Sequence, residues 1–115
     1  MSRFFVVRAY QTPLGRSWVV RKGERVRFER RKTDFEGWIW CIKESGESAW
    51  VPESWVEIEG GTCVFLRDYD STELNVERGD VVDGELKASG WLWATNNRGD
   101  EGWVPLNCLK IIEKK

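Results

Sequence analysis

Polar and apolar residues alternate in short runs along this chain, and no window keeps a helical period. In "RVRF", residues 25–28, Val26 and Phe28 fall on one side while Arg25 and Arg27 fall on the other. "WIWCI" (38–42) and "WLWAT" (91–95) are aromatic and aliphatic, and polar turns, "ESGE" and "NNRGD", follow them. Such runs predict strands of period two bounded by turn residues. "VPESWVEI" (51–58) predicts a strand, one tight turn after Pro52 and a second strand. Short strands, polar turns and no helix predict an all-β fold, a small barrel or sandwich.

The pattern is written twice. "GWIWCIKESGESAWVP" (37–52) returns as "GWLWATNNRGDEGWVP" (90–105) at a constant offset of 53. Trp38, Trp40, Trp50 and Pro52 thereby match Trp91, Trp93, Trp103 and Pro105, and Val56 and Ile58 match Leu109 and Ile111. Upstream the offset grows to 56, where Gly23 meets Gly79, and to 59, where Tyr10 meets Tyr69. Length changes of this kind belong in loops, where insertions cost little. The duplication predicts two consecutive domains, residues 1–58 and 62–115, joined by Glu59, Gly60 and Gly61. That tether spans at most about 10 Å. Units so small need dense cores, which 41% hydrophobic and 13% aromatic residues supply. Phe28 aligns with Gly84, which points to a bulge or an altered core in the second repeat.

Strand alternation also sorts the aromatic residues. Leu92, Ala94 and Val104 take the core face, leaving Trp91, Trp93, Trp103 and Pro105 on the other. The first repeat collects Trp38, Trp40, Trp50 and Pro52 in the same way, with Trp55 just beyond. Seven of the eight tryptophans are thus expected off the core faces. An uncovered apolar patch of that size marks a contact surface.

Four segments in order give each repeat a resemblance to the SH3 domain. The second repeat carries "FLRDYD", "ELNVERGD", "GWLWA" and "EGWVPLNCLKI"; the first carries "VVRAY", "WVVRKGE", "GWIWC" and "AWVPESWVEI". The resemblance covers nearly the whole chain and implies two tandem five-stranded β-barrels. It also implies grooves that hold proline-rich peptides between aromatic ridges. By this likeness the second groove consists of Tyr69, Trp91, Pro105 and Asn107, with Asp70 and Glu73 facing a basic ligand residue. The first consists of Tyr10, Trp38, Pro52 and Trp55. Trp50 and Trp103 share the aromatic faces. The departures are specific: Arg8 and Arg67 replace the groove's first Tyr, Cys108 its last Tyr, and Ser54 an Asn. The loop "QTPLGRSW" carries Arg16 where the family has acids.

Charge and chemistry narrow the function. The chain has net charge −1, split as +3 over residues 1–58 and −4 over 59–115. It contains no His, which removes the commonest general base and every Ser-His or Cys-His arrangement, so no enzyme and no catalytic residue is expected. Cys41, Cys63 and Cys108 form no CxxC pair, so neither a disulfide framework nor a metal site is indicated. Cys41 sits at the position of Ala94 and reads as a buried small hydrophobe, Cys108 as a thiol on a surface turn. No run reaches the roughly 18 apolar residues of a membrane span, and the start holds no signal-peptide core. A reduced cytoplasmic protein without cofactors is expected.

The only basic cluster, "RFERRK", is interrupted by Glu29, and the pI of about 5.6 argues against a phosphate-binding footprint. Two readings stand ahead of nucleic-acid binding. One is an adaptor-type module that binds a protein or proline-rich peptide through its grooves. The other is a self-associating structural protein whose Trp faces are buried between barrels or in a homo-oligomer. On the first reading, Trp91→Ala should weaken binding while leaving the barrel folded.

Overall fold

A computed structural model describes residues 2–12, 18–32 and 36–114, excepting the side chains of 113 and 114. Arg16, noted where the family has acids, lies outside these residues. The strands in chain order are β1 Ser2–Val6, β2 Val19–Val20, β3 Arg25–Glu29, β4 Trp38–Ile42, β5 Ser48–Pro52 and β6 Val56–Glu59. They continue as β7 Thr62–Phe65, β8 Tyr69–Asp70, β9 Val81–Ala88, β10 Trp91–Thr95, β11 Glu101–Pro105 and β12 Leu109–Lys114. Two single-turn 3-10 segments, Glu53–Trp55 and Leu106–Cys108, separate β5 from β6 and β11 from β12. The all-β expectation holds.

The division of the chain does not follow the repeat boundary. One compact unit, here the split unit, contains Met1–Arg16 together with Thr72–Lys115; the other, the central unit, is Ser17–Ser71. The split unit holds a five-stranded sheet in the order β11-β10-β9-β1-β12. The central unit holds one in the order β5-β4-β3-β7-β6 and a two-stranded β2-β8 ladder. Every ladder is antiparallel. The edge strands of each five-stranded sheet are not paired with one another, so hydrogen bonding closes neither into a barrel.

The correction to the consecutive domains 1–58 and 62–115 lies in two strands. By the repeat, β1 belongs with β3–β6 and β7 with β9–β12; the structure places each in the other's sheet. The local cause is the junction between the repeats. Glu59 pairs with Thr62, so Gly60 and Gly61 form a two-residue hairpin loop rather than a linker. Gly60 takes φ +65° while Gly61 is not in the left-handed region, which suits a II′ turn. With so short a loop, β7 folds straight back onto β6. It then pairs with β3 through Val26↔Cys63, where β1 would otherwise lie. β1 instead runs between β9 and β12, with Phe4 opposite Val82 and Ile111.

Leu92, Ala94, Val104 and Cys41, placed on core faces by alternation, are fully buried. Phe4, Val6, Leu74, Val76, Val82, Leu92, Ala94, Val104 and Cys108 pack together in the split unit. Val20, Ile39, Cys41, Val51, Cys63 and Phe65 are almost wholly buried in the central one. The tryptophans differ from expectation. Trp18, Trp55, Trp91 and Trp103 are buried, while Trp38, Trp40, Trp50 and Trp93 are half-buried. Part of the cover comes from facing rings on paired strands. Trp40↔Trp50 and Trp93↔Trp103 are registered partners, with ring centroids 5.2 and 5.4 Å apart in edge-on contact.

Candidate functional site

The duplicated Trp and Pro meet by register. Trp91 on β10 lies opposite Pro105 on β11, and Trp38 on β4 lies opposite Pro52 on β5. The proline ends its strand, and the 3-10 turn after it is pinned back to the neighbouring hairpin. Leu106 N–H donates to the Gly90 carbonyl at 2.9 Å, and Glu53 N–H to that of Gly37 at 2.8 Å. Asn107 and Ser54, next in each turn, are exposed, whereas Cys108 and Trp55 after them are buried. The Trp–Pro pairing thus occurs in both sheets.

The tyrosines arrive crosswise. Tyr10, grouped by sequence with Trp38 and Trp55, stands edge-on to Trp91, with ring centroids 5.5 Å apart at 85°. Reciprocal backbone hydrogen bonds of 2.9 Å to Val76 fix it there. Tyr69, grouped with Trp91, instead meets Trp55 at 5.6 Å and 90°, and its hydroxyl donates to the Trp50 carbonyl at 2.8 Å. Asp70 and Glu73 are likewise parted. Asp70 pairs with Val19 in the central unit, and Glu73 bridges to Trp103 in the split unit.

In the split unit, Trp91 and Pro105 form a buried floor. Tyr10 and Glu73 are half-buried, and Asn107 is exposed. The Tyr10 hydroxyl donates to Glu73 Oε1 at 2.6 Å. Burial first, and then the Glu73 hydrogen bond and charge, push the Tyr10 phenol far above its ordinary value. Glu73 is held from behind. Its neighbours exchange backbone hydrogen bonds with Trp103, from Trp103 N–H to Thr72 at 2.9 Å and from Leu74 N–H to Trp103 at 3.0 Å. The acid therefore sits on a fixed backbone next to a fixed ring.

Cys108 is not the surface thiol its turn position suggested. It is 3% exposed, joins the core and donates to Asn107 Oδ1 at 3.4 Å. Burial pushes its thiol up, against an opposing pull from Arg8, so nucleophilic chemistry is disfavoured. Cys41 is buried as the alternation required. Its Sγ lies 3.8 Å from that of Cys63, a contact no spacing rule predicts because the two belong to different repeats. That hydrogen bond, with burial behind it, holds the Cys41 thiol above its usual range.

The central unit has the richer aromatic set but a covered floor. Tyr69 and Trp55 are buried, Pro52 is buried and Trp38 is half-buried. The Arg67 guanidinium lies 4.1 Å from the centre of the Trp55 ring, a cation–π contact. The sequence shows Arg67 as a departure from the groove pattern; only the structure shows it lying across the aromatic face. Trp18, which the sequence left unassigned, is core, set against Phe65 and Tyr69. Among the described residues, no group of three or more His, Cys, Asp or Glu is placed to hold a metal. No helix among the described residues is long and apolar enough to cross a membrane.

Residues 62–112 match the family of the variant SH3 domain. The chain is 33% identical over 93 aligned residues to "SH3 and PX domain-containing protein 2B" of mouse, and to the human protein of that name to the same extent. Each alignment covers 64% of this chain and 10% of the relative, so the chain spans about a tenth of their length. No solved structure matches the chain significantly. The likeness to the variant SH3 domain thus covers residues 62–112, a little under half of the chain. The matched residues include β7, whose place in the split unit's sheet β1 takes.

Proposed function

We propose that this chain is an adaptor-type module whose working site is the groove of the split unit, and that it binds a proline-rich, extended peptide there. One observation supports the reading: Tyr10 stands edge-on to Trp91, which lies opposite Pro105, and the Tyr10 hydroxyl is bonded to the Glu73 carboxylate. A polyproline helix offers a stiff ridged surface and carbonyls without internal partners. Tyr10 supplies a flat wall, Asn107 a polar contact, and Glu73 a charge for a basic residue in the ligand. In the central unit Arg67 already occupies the ring face that a peptide would use, and that groove is the weaker site.

The self-association reading loses its main support, because Trp55, Trp91 and Trp103 are buried within a single chain. A ¹⁵N titration with proline-rich peptides, with and without Arg, tests the proposal. Shifts are expected in Asn107 and in the Trp91 indole N–H, larger for the Arg-containing peptides. If those signals stay still at millimolar peptide while others move, the split-unit groove is not the site.

A further inference from the structure

We infer that the exchange of β1 and β7 is written into the residues of the strands themselves, so that one chain folds with each N-terminal strand in the other repeat's sheet. The comparison rests on equivalent positions. The offset of 59 makes Arg3, Phe4 and Phe5 the counterparts of Thr62, Cys63 and Val64. The offset of 56 makes Arg25, Val26, Arg27 and Phe28 the counterparts of Val81, Val82, Asp83 and Gly84. The observed registers agree with both: Arg3↔Asp83, Phe4↔Val82 and Phe5↔Val81 in one sheet, Thr62↔Arg27, Cys63↔Val26 and Val64↔Arg25 in the other. The consecutive alternative is thus fully specified, and each position can be compared.

Charge separates the two arrangements first. As folded, Arg3 Nε lies 2.9 Å from Asp83 Oδ1, and Arg27 faces the uncharged Thr62. Consecutive domains would set Arg3 directly opposite Arg27. Like charges directly opposite on paired strands repel. Phe5 now faces Val81; in the alternative it would face Arg25.

Core volume separates them again, and it accounts for the mismatch of Phe28 with Gly84. In the split unit the large ring of Phe4 enters a sheet that has small residues nearby. Gly84 shares the Val82 face and lies opposite Ala94, at a bulge between Trp93 and Ala94. A Cβ on Gly84 would run into the Trp93 carbonyl oxygen and stand 3.1 Å from Leu92 Cγ, so that site stays small. In the central unit the same place holds Phe28, opposite Cys41, and the strand that enters brings only Cys63. The Cys41–Cys63 contact is the result. Consecutive pairing would bring Phe4 beside the half-buried Phe28 in one sheet and leave Cys63 beside Gly84 and Ala94 in the other. Overpacking one core and hollowing the second are both unfavourable in a close-packed interior.

The exchange makes the groove composite, since Tyr10 is carried on the segment led by β1. That consequence rests on the proposed peptide site, whereas the test below reads strand pairing alone. Arg3→Cys/Asp83→Cys and Arg3→Cys/Arg27→Cys are prepared in the full chain and oxidised with glutathione disulfide. Directly opposed residues on antiparallel strands have Cα atoms within disulfide range. The first pair is expected to close within a monomer and the second to remain reduced, as located by mass spectrometry of cleaved peptides. Closure of the second pair, or closure of the first only between two chains, overturns the inference. Should the variants fail to fold, nuclear Overhauser contacts in the wild type decide: Phe4 ring to Val82 methyls supports it, and Phe4 ring to Val26 methyls sinks it.

Discussion

Trp91 and Tyr10 show how far a single side chain departs from its strand-alternation assignment. Trp91 lies on the face opposite Leu92, yet it is only 8% exposed, with Tyr10 edge-on against its ring. Trp91→Ala is therefore expected to destabilise the fold by about 3–5 kcal/mol, as loss of a buried large ring does, and not merely to weaken binding. Chemical denaturation checks this; a variant as stable as the wild type would restore the exposed-Trp reading. Tyr10 adds a pH dependence. Its folded pKa is raised by burial and Glu73, so its contribution is complete below the unfolded value near 10 and fades as pH rises above it. Tyr10→Phe should cost about 1.5–3 kcal/mol at neutral pH, the range for hydrogen bonds to charged groups. The deficit relative to wild type should shrink at pH 11 in paired urea titrations.

Strands were the most legible elements, because period two and turn residues are local signals. β3, β4, β10 and both Pro-then-turn segments fall where the alternation placed them. The junction Glu59–Gly60–Gly61 was misread for an equally local reason: two glycines suit a flexible tether and a tight hairpin alike. What decides is the pairing of β6 with β7, a fact about both strands. Gly60 at φ +65° makes the hairpin testable. Gly60→Ala should lower stability by about 1–2 kcal/mol, the cost of a left-handed conformation to an L-residue. Gly61→Ala, with no left-handed φ and open space around its Cβ position, should cost less. Equal effects in thermal melts would argue for a linker.

At the scale of the whole chain, the repeat announces two copies of one pattern but not which strand serves which copy. Each compact unit draws strands from both sides of the Gly60–Gly61 turn. A protease site inserted in that turn should therefore yield two fragments, residues 1–60 and 61–115, that co-elute on gel filtration and part only in denaturant. Fragments that separate under native conditions would be those of consecutive domains. The same logic explains why the candidate groove was half legible. Trp91 and Pro105 are near neighbours in sequence and lie opposite one another, whereas Tyr10, grouped by sequence with Trp38, stands 81 residues from Trp91 in the chain yet against its ring.

Alternation, turn chemistry and the duplicated Trp-rich segment sufficed by themselves for strands such as β3, β4 and β10, for the core positions Leu92, Ala94, Val104 and Cys41, and for the grouping of each Trp with its Pro. Each depends on residues close in the chain, whose spacing fixes which face they share. Tertiary structure alone decided the exchange of β1 and β7, the burial of Trp91, Trp103 and Cys108, and the pairing of Tyr10 with Glu73 and Trp91. Two nearly equivalent strands compete for two nearly equivalent places, and local pattern is the same in either outcome. The choice falls to the tight local hairpin at the junction and to non-local terms: an opposed charge pair, and the volumes of Phe4, Cys63, Phe28 and Gly84.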